Sequence, residues 1–300
     1  MANSESWNRI RQMGANISRL HATGEGRSLE ELKKTNDVLQ GQESLRLRMF
    51  FTNNCMEPFR DLDRLGLLLF AADKDAVKLD YATRLNEKKK TLGHDESIRA
   101  AAQEYAAMRW GPTEVPIYNL LGLFTMICPA QRATYLDFAR FFIEKNVPVD
   151  GKDLSGSPAL THVFSTKPAF DLEYAQILYD AGGDVNTRNR YGGIVAHEIA
   201  TQALQWFLSH GGNLDIADGD GMTPRFMCER QNATVPALKR LAHQEDERRK
   251  LKGDLRCALC GRDGVTLLKC GRCKKAKYCD PKTLACQKLD WPNHKKTCKA

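Results

Sequence analysis

The sequence predicts a mainly α-helical chain in three parts: a helical N-terminal region, an α-solenoid of repeats, and a small metal-bound module at the C-terminus. Three observations predict it. Apolar residues recur at helical spacing through the first third. A segment pattern repeats through the middle. Seven of the ten cysteines crowd into the residues from Cys257 onward. Three hundred residues, 42% of them hydrophobic, suffice for two modest domains or one solenoid with appendages. The longest apolar run, residues 65–72, falls well short of the roughly 20 residues that span a bilayer. The first residues carry scattered Arg9, Arg11 and Arg19 without an apolar block, which argues against a signal peptide and leaves a transit peptide as the alternative. The expectation is an intracellular protein of cytoplasm or nucleus, without membrane contact, where reduced thiols persist.

Charge is unevenly distributed. Residues 248–300 hold 16 Lys and Arg against 4 Asp, a net of +12, whereas the rest holds 29 basic and 33 acidic residues, a net of −4, giving +8 in all. A basic C-terminal surface suits nucleic acid or an acidic partner. The plainer reading is a lysine-rich skin around a module with little core.

Residues 1–110 read as helical. Ser28 with Glu31 forms a capping box ahead of Leu29, Leu32, Val38 and Leu39. Gly41 interrupts that stripe, and Leu45, Leu47, Met49 and Phe50 resume an apolar face. Further stripes are Leu62, Leu65, Leu69 and Phe70; then Val77, Tyr81 and Leu85; then Ile98, Ala102, Tyr105 and Met108, stopped by Gly111-Pro112. Such stripes are core faces and carry no chemistry.

The middle repeats. Three segments align, D-L-S-G-S-P-A-L-T from Asp153, N-R-Y-G-G-I-V-A-H from Asn189 and D-G-D-G-M-T-P-R-F from Asp218. A second set, ending at Asp150, Asn186 and Asp215, has the same intervals of 36 and 29 residues. The pattern resembles the ankyrin repeat, a turn followed by two helices, with Thr223-Pro224 and His197 at its most diagnostic positions. The resemblance implies that His197 ties its turn together by hydrogen bonds. It also implies that Gly182-Gly183 and Gly211-Gly212 are left-handed helix caps. A degenerate earlier copy runs from Val115 to Tyr118 and on through Leu136, Phe141, Phe142 and Ile143. The last ends at Ala237, Leu238 and Leu241. The first copy departs from the pattern at Pro158, and extra residues sit near Lys167-Pro168. Residues 114–245 are thus read as three to four ankyrin-like repeats, and residues 246–256 as a charged helical linker ended by Gly253.

The C-terminal module reads C-A-L-C from Cys257, nine residues, C-G-R-C from Cys270, then Cys279, Cys286, His294 and Cys298. Seven thiols and one imidazole suffice for two tetrahedral sites, and each C-x2-C pair aims two thiolates at one ion. Zinc closes such sites completely. A disulfide framework is the competitor, but seven cysteines cannot all pair. The short stretches 265–269 and 276–278 suit the arms of a hairpin.

Tyr278-Cys279 and the string C-Q-K-L-D-W-P-N-H-K-K-T-C from Cys286 resemble the MYND zinc finger over residues 257–298. The resemblance implies two structural Zn2+ held by interleaved ligands, Cys257, Cys260, Cys279 and Cys286 for one and Cys270, Cys273, His294 and Cys298 for the other. Sequential pairing stays open on spacing alone. One departure concerns the six residues before Cys286, where the family has three and Thr283 takes the usual ligand place. Either Asp280 and Pro281 begin an extra helical turn and Cys286 still coordinates, or that site is weakened. The family's role implies a protein-interaction adaptor whose finger takes proline-rich peptides along Gln287 and Trp291. Trp291 as a plug in the module's core is the plainer alternative, and nucleic-acid contact in a transcriptional regulator is the second functional reading.

No enzyme is expected, and an unrecognised activity within residues 1–110 is the remaining alternative. Neither G-x-x-x-x-G-K-[ST] nor G-x-G-x-x-G occurs. His197-Glu198 opens H-E-x-x-H without its second histidine. Asp218, Asp220 and Glu229 have calcium-loop spacing, but Met222 and Thr223 occupy the places where an oxygen ligand and a glycine belong. Signatures of the methyltransferase domain found in some MYND proteins are not recognised in residues 1–250. Cys55, Cys128 and Cys228 read as small apolar core residues.

Overall fold

The computed structural model describes residues 26–165, 170–197, 201–226, 236–259, 266–279 and 286–299. Among them the chain is mainly helical, with one two-stranded sheet. Arg9, Arg11, Arg19, Lys167, Pro168, Glu198, Cys228 and Glu229 lie outside the described residues. The chain gathers into two units. One holds residues up to 163 with 171–183 and 189–192, and the other holds 164–170, 184–188 and everything from 193 onward.

In the first unit, α1 (Leu29–Lys33) starts at the capping box: Ser28 Oγ accepts from Glu31 N–H, and Glu31 Oε2 accepts from Ser28 N–H at 2.7 Å. The stripe expected to run on through Val38 and Leu39 stops at Lys33. The Thr35 hydroxyl donates to the Leu32 carbonyl at 3.2 Å, turning the chain out of the helix. Leu39 is buried from a loop instead, donating its N–H to the Arg190 carbonyl at 2.6 Å, and Val38 is exposed. Gly41 does not interrupt a helix but opens one, α2 (Gly41–Asn54), from a left-handed φ of 53°.

The next three helices are α3 (Arg64–Phe70), α4 (Lys74–Lys89) and α5 (His94–Ala107). Asp63 and Asp73 cap α3 and α4 by accepting from Gly66 and Ala76 N–H at 2.8 and 3.0 Å. Leu65, Leu69, Val77, Tyr81, Ala102 and Tyr105 are buried, while Leu62 and Met108 fall just outside the helices. The pair α6 (Ile117–Ile127) and α7 (Arg132–Glu144) adds Phe124, Tyr135 and Phe142 to the core, with Tyr105 and Phe142 ring centroids 5.2 Å apart. Cys55 and Cys128, expected in the core, are only half-buried.

The three aligned glycine segments form one and the same turn. Ser155, Tyr191 and Asp220 N–H donate to the side-chain oxygens of Asp153, Asn189 and Asp218 at 2.9, 3.0 and 3.0 Å. Gly156, Gly192 and Gly221 N–H return to the carbonyls of those same residues at 2.8, 3.0 and 3.2 Å. All three glycines sit at positive φ, 77°, 73° and 84°, which a side chain would strain. Asp218 uses Oδ1 to close its own turn, also accepting from Met222 N–H at 2.8 Å, as the repeat reading of this stretch expects.

The second aligned set also repeats in three dimensions. The helices α7, α9 (Leu172–Asp180) and α10 (Thr201–Ser209), the last two following α8 (Ala159–Ser165), end alike. Asn146, Gly182 and Gly211 take left-handed φ of 62°, 99° and 83°. The N–H of the following residue reaches back to the Phe142, Leu178 and Phe207 carbonyls at 3.0, 2.9 and 2.9 Å. These caps keep the 36- and 29-residue intervals, with Asn146 in the place that glycine takes at 182 and 211.

In the second unit His197 acts as expected. Its Nδ1 lies 3.1 Å from both the Ile194 N–H and the Ile194 carbonyl, and its Nε2 lies 3.0 Å from the Met222 carbonyl, so the ring ties residue 194 to residue 222. Removing both bonds in His197→Ala is expected to cost about 2 kcal/mol, at roughly 1 kcal/mol net per bond, read as a lowered urea midpoint. Arg225 forks between Asp215 and Asp246, with contacts of 2.6 to 3.0 Å. Asp246 lies on α11 (Pro236–Lys252), which includes the charged stretch 246–252 expected to be helical. The polar run does not end a helix because Glu, Lys and Arg are good helix formers. Gly253 ends it, at φ 49°.

Candidate metal centre

The module is built on a hairpin and one helix. Strands β1 (Leu267–Lys269) and β2 (Lys277–Cys279) pair antiparallel, with Leu267 opposite Cys279 and Lys269 opposite Lys277. Between them Cys270 to Lys274 make a tight knuckle: Lys274 N–H donates to the Cys270 carbonyl at 3.0 Å and Cys270 N–H to the Ala276 carbonyl at 2.8 Å. Lys274 takes a left-handed φ of 56° to close it. Helix α12 (Cys286–His294) follows. The Tyr278 hydroxyl on β2 donates to Asp290 Oδ2 on α12 at 2.7 Å, locking helix to hairpin. Burial and that bond together push the Tyr278 phenol far above its ordinary value, so it stays a donor.

Two ligand groups result. Cys270, Cys273, His294 and Cys298 bring their donor atoms within 4.8 Å of one another, and Cys257, Cys279 and Cys286 do the same. This is the interleaved division and not the sequential one. Cys260, expected to complete the second group, lies outside the described residues, as do Asp280, Pro281 and Thr283. Cys286 is buried and sits with Cys257 and Cys279 at the first residue of α12, despite the six-residue gap before it.

Zinc fits the complete group. Bonds of ~2.3 Å to sulfur and ~2.05 Å to nitrogen give tetrahedral edges of about 3.8 Å between sulfurs and about 3.6 Å between sulfur and nitrogen. Cys270 Sγ lies 3.8 Å from Cys298 Sγ, and Cys273 Sγ lies 3.5 Å from His294 Nε2. Backbone N–H groups of Cys273 and Arg272 donate to the Cys270 sulfur and pull its thiol down to about 6. Those of Ala276 and Lys275 lower Cys273 in the same way. The knuckle thus stabilises thiolates, the form a metal needs. Cys298 is pushed up, chiefly by burial.

Trp291 lies one turn before Lys295, from whose N–H its carbonyl accepts at 3.0 Å, and the residue is 39% exposed. Tyr278, 1% exposed, is fully enclosed, whereas Trp291 is partly open to solvent. Gln287 is half-buried, four residues earlier and so on the same face of α12. The role of Tyr278 and Asp290 was not read from sequence, although both stand in the string that carries the resemblance. An aromatic hydroxyl and a carboxylate twelve residues apart give no signal until hairpin and helix meet.

Residues 257–298 match the family model for the MYND finger. Over 42 residues the chain is 50% identical to N-lysine methyltransferase SMYD2 of Rattus norvegicus and of Mus musculus, a stretch that covers 14% of this chain and 8% of each relative. The likeness is confined to the finger. With hairpin, helix, two ligand groups and family match in agreement, the C-terminal module of this chain is a MYND zinc finger.

Proposed function

We propose that the chain is an adaptor that works by binding and not by catalysis. In this reading a helical region over residues 1–110 precedes an ankyrin-type array over 114–245, a linker over 246–256 and the finger over 257–298, which holds two structural zinc ions. The finger takes a proline-rich peptide along Gln287 and Trp291. The observation that carries it is Trp291, an indole left 39% exposed in a module so small that every large apolar group is wanted inside. An exposed indole face packs on proline rings, and the Gln287 amide can satisfy a peptide carbonyl. The three identical turns, the three like caps and the His197 bridge support the array.

The test uses the full chain with and without Trp291→Ala and a panel of proline-rich peptides. Binding is expected to weaken by about 30-fold, the effect of losing a central aromatic anchor, while the zinc content stays as in the wild type. Unchanged peptide affinity would remove the groove. Nucleic-acid affinity that falls steeply with salt would move the function to the basic surface instead.

A further inference from the structure

The first metal knuckle is held from outside the finger. Leu259, between Cys257 and Cys260 in sequence, is 4% exposed, and its carbonyl accepts a hydrogen bond from Asn213 Nδ2. Asn213 belongs to the turn after α10 and is itself 4% exposed. Its Oδ1 accepts from Asp215 N–H at 2.8 Å, and its own N–H donates to Asn186 Oδ1 at 2.9 Å. Asn186 in turn donates from Nδ2 to the Gly211 carbonyl at 2.9 Å. Two buried asparagines thus chain two successive repeat turns to residue 259, all within the second unit. Beside them Ala258 N–H donates to the Lys277 carbonyl at 2.7 Å, continuing the chain of bonds into the hairpin.

We propose that Asn213 is a positioning residue for the metal group of Cys257, Cys279 and Cys286, and that it couples occupancy of that group to the repeat turn at residues 211–215. The inference rests on the two-zinc reading of the finger. Its physical basis is the bond from Asn213 Nδ2 to the Leu259 carbonyl, two residues from the ligand Cys257: a buried amide that holds a buried carbonyl fixes the backbone beside that ligand, and the Ala258 N–H bond to the Lys277 carbonyl holds the residue between them. It therefore acts as an outer-layer partner that orients a ligand without touching the ion. The finger is then not an independent bead on a tether: one of its two ions is read by the repeats, and the repeats are read by that ion.

The test loads the full chain with cobalt(II), whose absorption separates a three-thiolate, one-imidazole site from a thiolate-only one, and follows release of each ion into chelator. Asn213→Asp keeps an acceptor for Asp215 N–H but loses the donor to Leu259. Release from the thiolate-only group is expected to quicken by about 10-fold, the lower end for outer-layer partners of a metal ligand, with the imidazole-containing group unchanged. Wild-type rates at both groups, or equal acceleration at both, would overturn the proposal. If Asn213→Asp fails to fold, Asn213→Ser, too short to reach Leu259, takes the same measurement. Hydrogen exchange of the wild type provides a variant-free check: removing metal should speed the amides of Asn213 and Asp215, and unchanged exchange there overturns the coupling. Loading of fewer than two ions in the wild type would instead sink the two-zinc reading, and this proposal with it.

Discussion

Treating the full chain with a strong chelator is expected to strip two zinc ions and to unfold the finger. The magnitude is large because metal ligation is the strongest tie in the module. Among the described residues its buried side chains are mostly the ligands themselves, with Leu259 and Tyr278 beside them. Structural zinc supplies on the order of 10 kcal/mol of folding free energy at neutral pH, far more than two buried side chains at roughly 2 kcal/mol each. Elemental analysis before treatment tests the stoichiometry, and one ion or none refutes it. Hydrogen exchange after treatment should show loss of protection in β1, β2 and α12. The helices of the first unit should keep theirs, since their cores contain no ligand residue. Cys298→Ser should release the ion of the imidazole-containing group while the other stays bound.

Replacing Arg190 by Met is expected to destabilise the first unit by about 3 kcal/mol, read as a lowered urea midpoint. Arg190 is 3% exposed. Its guanidinium donates to the Leu32 carbonyl at 2.7 Å, Thr35 Oγ1 at 3.0 Å and the Leu154 carbonyl at 3.3 Å. Its backbone N–H donates to Ser155 at 2.8 Å, and its carbonyl takes Leu39 N–H. One residue thus joins α1 and the loop behind it to the turn at 153–157, beside the cluster of Leu32, Leu39, Leu47, Leu154 and Tyr191. Burial lowers the pKa of the guanidinium, a measure of what enclosing it costs. Methionine keeps the apolar stem and removes that cost, but it strips the buried Leu154 carbonyl of its guanidinium donor, at about 1–3 kcal/mol for a buried group left unpaired, and it takes one donor each from the Leu32 carbonyl and Thr35 Oγ1, the former keeping the Thr35 hydroxyl. Lysine should rescue little, because a point ammonium cannot span three acceptors that a planar fork reaches together. A midpoint unchanged in Arg190→Met would show the clamp to be dispensable.

The ligand string was legible because metal chemistry is written in residue identity: thiols, an imidazole and their spacing survive without knowledge of the fold. The repeat was legible for a related reason. A turn that needs an Asp or Asn, then a glycine at positive φ, leaves those letters in place three times over. Helical stripes in the first third located α3, α4 and α5 for the same reason of periodicity. They failed at Val38 and Leu39, where two apolar residues continued a helical pattern that Thr35 had already ended, and at Gly41, where a residue poor in helices begins one.

The sequence by itself therefore determined the finger, its ligand types and the recurrence of one turn through the middle of the chain. Only the tertiary structure decided which thiols share a group, that Cys286 joins Cys257 and Cys279 across its long gap, that Trp291 is partly open to solvent, and that Arg190 and Asn213 are buried against backbone carbonyls distant in sequence. The physical reason is the same for all of these. Each depends on groups from distant parts of the chain meeting in space, and a buried arginine or asparagine is written with the same letter as an exposed one until its partners are in place.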